Sequence, residues 1–302
     1  MAGATLSDVC DWLVVGGTGQ VGGALLRLLG PRAISAGRSP ANPCLVDLEQ
    51  LAEEPGQADR LMAEARPRTV VIAAAATNVD RCESEPAMAN AVNATAPAAL
   101  ARAAHRIGAK TVFVSTEYVF DGEAGPYDED AEPRPLSVYG SSKAAGEQAV
   151  LSADPDTIVV RTTVVYGPER QGRNFAYRLA GHLRAGKVLR VPSDQISTPT
   201  YNRDLATALV QLAQSSLRGI VHVAGPCLLG RDGFAVEVAR EAGLDGTLIE
   251  SVKTASLSQV ARRPLRAGLI SRRANEWGSH PVRGTAAAVA DWRGDTYGLT
   301  WP

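Results

Sequence analysis

Short, uninterrupted apolar runs recur along this chain, separated by longer stretches in which apolar and polar positions are mixed. The stretches at 11–15, 33–36, 69–72, 111–114, 156–163 and 219–224, each built around a few apolar residues, read as strands. Their lack of polar alternation fits strands covered on both faces, as in a parallel sheet. The longer stretches predict helices over 24–29, 48–64, 86–107, a segment carrying Tyr139, 175–185, 202–214 and 232–243. A further short strand and turn is expected over 188–194. Strand and helix alternate nearly throughout, so the expected class is α/β, a doubly wound parallel sheet of the Rossmann type. After residue 160 the elements become shorter and less regular, which predicts a smaller C-terminal lobe. Residues 161–302 would form most of that lobe, interleaved with 1–160, since core strands return after 160.

The first strand runs into Gly16-Gly17-Thr18-Gly19-Gln20-Val21-Gly22 and then a helix. Glycines in such a turn let the backbone approach a pyrophosphate, whose charge then sits at the helix N-terminus. Residues 1–160 are therefore expected to be a dinucleotide-binding domain. The tip of the second strand carries no acid to hold ribose hydroxyls; Ser35, Ala36 and Gly37 are followed by Arg38. A guanidinium pairs with a 2′-phosphate, so NADP(H) is the expected cofactor, with NAD(H) second. Asp47, before Leu48, is placed to accept from an adenine amino group. The fourth strand opens into Ala73-Ala74-Ala75-Ala76, small side chains that let backbone lie against a flat ligand.

Ser115 and Thr116 end the strand at 111–114, and their hydroxyls would project into the crevice at the carboxyl edge of the sheet. Tyr139 and Lys143 lie four apart within Val-Tyr-Gly-Ser-Ser-Lys and share one face of a helix. An ammonium one turn from a phenol favours the phenolate, so the pair reads as an acid/base device in which Lys143 lowers the Tyr139 pKa. Together these groups make a coherent reductase site.

A net charge of −1 offers no electrostatic case for nucleic acid or membrane binding. Four widely spaced cysteines, without a Cys-x-x-Cys pair, suggest neither a zinc site nor a disulfide framework and fit a reducing cytoplasm. No apolar run approaches the ~18 residues of a membrane span. His105, His182, His222 and His280 lack ligand spacing, and Trp292 and Trp301 read as packing residues.

With those motifs in view, the chain resembles the extended short-chain dehydrogenase/reductases, in the branch of dTDP-4-dehydrorhamnose reductase. The matching stretches are Thr18–Gly22, Thr77-Asn78-Val79-Asp80, Asn93-Ala94-Thr95, 115–122, 138–143, Arg161-Thr162, Asn174-Phe175, Asp194-Gln195 and Arg263-Pro264. The resemblance implies an NADPH-dependent reductase of a 4-keto-deoxy sugar nucleotide. It implies that Gly19, Gln20, Val21, Asp47, Leu48, Ala74, Ala75, Ala76, Tyr139 and Lys143 hold the cofactor, with Ser115 beside them. Thr116, hydrogen-bonding the reacting carbonyl, and Glu117 would face the sugar, with Thr77, Val79, Val164, Asn174 and Gln195 on the substrate side. Tyr139 would donate the proton.

The chain departs from the usual pattern in three places. Glu117 stands for Asp, Val164 stands for Trp, and Gly23–Leu26 offers no acid for the magnesium that some members hold, so no metal is expected. The first two changes predict a related nucleotide-linked keto-sugar rather than 4-keto-rhamnose, in a deoxysugar pathway, with a homodimer as the expected assembly. A second class stays open, because the regulatory beta subunit of methionine adenosyltransferase resembles the same branch and binds NADP without evident turnover.

Overall fold

The computed structural model describes residues 10–276 and 282–294, so Trp301 and His280 lie outside the described residues. In chain order, β1 (Trp12–Val15) leads through α1 (Gln20–Leu29) to β2 (Ala33–Gly37) and β3 (Cys44–Leu45). Helices α2 (Leu48–Glu53) and α3 (Gly56–Ala65) precede β4 (Thr69–Ile72). Next come α4 (Val79–Ser84), α5 (Pro86–Asn90), α6 (Ala96–Arg106), β5 (Lys110–Thr116), α7 (Val138–Ala153) and β6 (Ile158–Thr162). The chain continues through β7 (Val165–Tyr166), α8 (Phe175–Arg184), β8 (Leu189–Pro192), β9 (Ile196–Ser197) and β10 (Thr200–Tyr201). After α9 (Asn202–Gln214) it rejoins the sheet as β11 (Gly219–His222), followed by β12 (Leu229–Gly230), α10 (Arg231–Ala242), β13 (Ile249–Val252) and α11 (Thr285–Arg293).

Seven strands form one parallel sheet in the order β11-β6-β5-β4-β1-β2-β3. The doubly wound expectation is met, and the cause is visible strand by strand. On β1, Leu13 and Val15 point to one face, where they pack with Leu51 of α2, Leu61 of α3, Leu100 of α6 and Val150 of α7. Trp12 and Val14 point to the other, against Leu25 of α1 and Leu205 and Leu209 of α9. With helices on both faces, every β1 position is buried, so the strand is apolar throughout rather than alternating. A third cluster joins Tyr166 and Tyr201 to Phe234 of α10 and Trp292 of α11, where Trp292 serves packing as expected.

Two expected helices differ in detail, and one helix was not expected. The single helix over 48–64 is broken at Glu54-Pro55, because proline lacks the N–H that would continue the ladder. The helix over 86–107 has a wide π turn at Ala91–Thr95, just where Pro97 cannot donate back to the carbonyl of Asn93. Helix α4 lies in a stretch for which no helix was expected; Asn78 caps it by accepting from the Arg81 N–H.

The chain moves outward from β1 through β2 to β3 and then crosses to β4 on the other side of β1. The carboxyl ends of β1 and β4, Val15 and Ile72, are register partners at that reversal. This is the point where open α/β sheets form a ligand crevice.

Candidate active site

The glycine turn closes tightly over β1. Gly16 has φ +93°, and a Cβ there would stand 2.6 Å from the backbone nitrogen of Ala74. A Cβ on Gly22 would be 2.2 Å from the carbonyl oxygen of Gly16, so α1 can begin this close to the turn only with glycine. Helix α1 therefore starts at Gln20, four residues before the expected start at 24, and Gln20, Val21 and Gly22 form its first turn.

A cleft of about 960 Å³ runs along the carboxyl edge of the sheet. At one end it is lined by Gly16, Thr18, Gly19, Gln20, Val21, Arg38, Asp47 and Leu48. Its middle is walled by Ala74, Ala75 and Ala76, and its far end by Thr77, Val79, Ser115, Thr116, Glu117, Tyr139, Lys143, Val164 and Asn174. The structure thus gathers every expected site residue but Gly22 and Gln195 around one cavity. Gly22 lies behind the turn. Gln195 sits in a small pouch beside the cleft with Glu117, Val164 and Pro264, its amide donating to Thr254 and Gln259 at 3.2 and 3.1 Å.

Several of these residues have structural duties. Asp47 caps α2 by accepting from the Glu49 N–H, and Asn174 caps α8 while donating to the Gly167 carbonyl at 2.9 Å. The Arg38 side chain is 70% exposed and 3.9 Å from Glu49, a loose ion pair that leaves it available to a ligand. The Ser115 hydroxyl is committed to Glu147, at 2.5 Å.

Tyr139 and Lys143 lie on α7, which Ser137 caps by accepting from the Gly140 N–H. Tyr139 packs edge-on against Tyr118 with ring centroids 5.4 Å apart. The Thr116 hydroxyl donates to Glu117 at 2.9 Å and accepts from the Tyr118 N–H. Lys143 donates to the Val114 carbonyl at 2.8 Å and stands 3.8 Å from the centre of the Phe113 ring.

The expected electrostatics of the pair are corrected by burial. Burial holds the Tyr139 phenol well above its ordinary value; the Thr116 hydroxyl opposes this, and the Glu117 carboxylate adds to it. Burial also draws Lys143 down to about 7 against the pull of Glu147. A lysine so desolvated is only partly charged at neutral pH, and it is not among the groups that shift Tyr139 most. Burial likewise raises the pKa of Glu117, more than its hydrogen bond from Thr116 lowers it.

Sequence reasoning missed two supports. The Asn93 side chain accepts from the Ala76 N–H at 2.8 Å and donates to Ser142 at 2.9 Å, tying the alanine wall to the Tyr139 helix. Its position in the π turn was hidden because a helix was expected to run straight through. Glu147 takes Arg161 in a fully buried ion pair at 2.6 Å, besides Ser115. An acid four residues after Lys143 was a signal for it, since Glu147 shares that helix face. Val164, at the far end of the cleft, has φ +38°, the left-handed region, which is strained for a β-branched residue.

The model of the family described as RmlD substrate binding domain matches residues 11–293. The chain belongs to the RmlD substrate binding domain family. Among relatives of this RmlD-family chain, a dTDP-4-dehydrorhamnose reductase of Mycobacterium tuberculosis is 40% identical over 247 residues, 78% of this chain and 79% of the relative. One from Streptomyces griseus is 37% identical over 291 residues, 93% and 92% of the two chains. The solved dTDP-4-dehydrorhamnose reductase of Bacillus anthracis in complex with NADP superposes with a TM-score of 0.86 at 28% identity, covering 94% of this chain and 99% of that one. Among the described residues, no helix is long and apolar enough to cross a membrane.

Proposed function

We propose that this protein is an NADPH-dependent reductase of the keto group of a nucleotide-linked deoxysugar. The observation that carries the reading is the convergence of Thr116, Tyr139 and Lys143 at one end of a cleft whose other end is the glycine turn. The relatives named above are reductases, which favours an enzyme over a binding-only subunit.

The turn fits a dinucleotide, because the space that side chains would occupy at Gly16 and Gly22 is taken by backbone. Gly19, Gln20 and Val21 would hold its pyrophosphate, Arg38 and Asp47 its adenosine end, and Ala74–Ala76 its flat middle. When bound, the cofactor supplies the hydride that forms the new C–H bond. Tyr139 gives the proton that completes the new hydroxyl; burial keeps the phenol protonated and ready across neutral pH. Lys143, titrating at about 7, can return a proton to the phenolate under the same conditions. Thr116 and Glu117 position the sugar beside it, while Thr77, Val79, Val164 and Asn174 line its seat. With Val164 for the usual Trp, the seat suits a sugar with different bulk near the reacting carbon.

The test is NADPH oxidation with a panel of 4-keto sugar nucleotides, for the wild type and Tyr139→Phe. Turnover of at least one sugar, falling ~10²-fold or more in the Phe variant, is expected. Absence of turnover with every sugar, or undiminished turnover in the variant, would refute the assignment.

A further inference from the structure

Arg231 opens α10 and belongs to none of the motifs on which the site was read. Its backbone N–H is anchored to the Gln195 carbonyl at 2.9 Å, so the residue is held whatever its side chain does. The side chain lines both the substrate end of the cleft and the adjoining pouch with Glu117, Val164 and Gln195. Its Nε is sealed from solvent and makes no hydrogen bond, and among the described residues no carboxylate forms an ion pair with it. Phe175 lies 5.2 Å from its guanidinium carbon to the ring centre, and Tyr118 lines the same pouch.

The residue keeps partial exposure through the cleft, yet a guanidinium nitrogen sealed from solvent without a partner is costly. The Glu117 carboxyl attracts the guanidinium but makes no ion pair with it among the described residues, and burial raises its own pKa. The small Val164 side chain borders the same pouch, so room and unpaired positive charge occur together.

We propose that Arg231 is the anion-recognition residue of the substrate seat, its planar fork taking an oxyanion of the bound nucleotide sugar, either the diphosphate or a carboxylate on the sugar. The assignment rests on the nucleotide-sugar reading above. Two oxygens of a phosphate or carboxylate match two guanidinium donors, a geometry that lysine cannot reproduce.

Affinities for dTDP, dTDP-glucose and dTDP-glucuronate, measured by calorimetry at saturating NADPH, decide it in the wild type, Arg231→Met and Arg231→Lys. Loss of a charge-assisted contact is expected to weaken binding ~10-fold or more in R231M, and by less in R231K. An equal loss for all three ligands identifies the diphosphate, whereas a loss confined to dTDP-glucuronate identifies a sugar carboxylate. Wild-type affinity of R231M for all three overturns the proposal. If R231M does not fold, wild-type affinity of R231K overturns it instead. A wild-type protein that holds NADPH but none of the three ligands refutes the nucleotide-sugar reading itself, and this proposal with it.

Discussion

Lys143 offers a test of the site in which function and stability move in opposite directions. The lysine is buried, and its pKa falls from 10.5 to about 7. Its unfolded counterpart binds a proton more readily at every pH between those values, so stability rises with pH across that window. Below pH 7 both states are protonated and the folded one carries the whole desolvation cost. Each pKa unit corresponds to ~1.4 kcal/mol, so the cost is on the order of 5 kcal/mol at acid pH and vanishes above pH ~10.5. Lys143→Met keeps an unbranched side chain against Phe113 and removes the charge. It forfeits the hydrogen bond to Val114, a loss of ~1 kcal/mol that is nearly independent of pH. The variant should therefore be more stable than the wild type by ~4 kcal/mol at pH 6, and this advantage should shrink by ~1.4 kcal/mol per pH unit between about 7.5 and 10. Urea unfolding of both proteins, without cofactor, at pH 6, 7.5 and 9 reads the slope, which a constant packing difference cannot mimic. A stability difference that does not change with pH would refute the argument. The same variant should have lost most of its reductase activity.

Three other outcomes are expected. Arg38→Ala should weaken NADPH by ~1 kcal/mol and leave NADH nearly unchanged, the exposure of the side chain holding the effect to the low end for a charged contact; fluorescence titration of both cofactors checks this. Glu147→Gln should destabilise the fold by ~3–5 kcal/mol in urea, because it strands the Arg161 guanidinium, whose side chain is 1% exposed. Asn93→Ala should lower kcat while leaving much of the fold's stability, since it cuts the tie between Ala76 and Ser142 that sets the alanine wall against the Tyr139 helix; urea unfolding and steady-state kinetics separate the two effects.

The doubly wound architecture was legible in the order and apolarity of the strands, because a strand covered on both faces has no polar side to display. The glycine turn and the shared helix face of Tyr139 and Lys143 were legible too, since both depend on spacings within a single turn or helix. What the sequence alone could not determine came from contacts between segments far apart in the chain. Arg231 shares a cleft with Glu117 only because α10, packed on α8 and α11, carries its first residue there, and Asn93 meets Ala76 only from a π turn. The protonation of the Tyr139 and Lys143 pair was decided in the same way. Four residues of separation put an ammonium near a phenol, but the depth at which the tertiary fold buries both groups sets their charge, because desolvation in a closed core outweighs an attraction between neighbours that are themselves losing their charge.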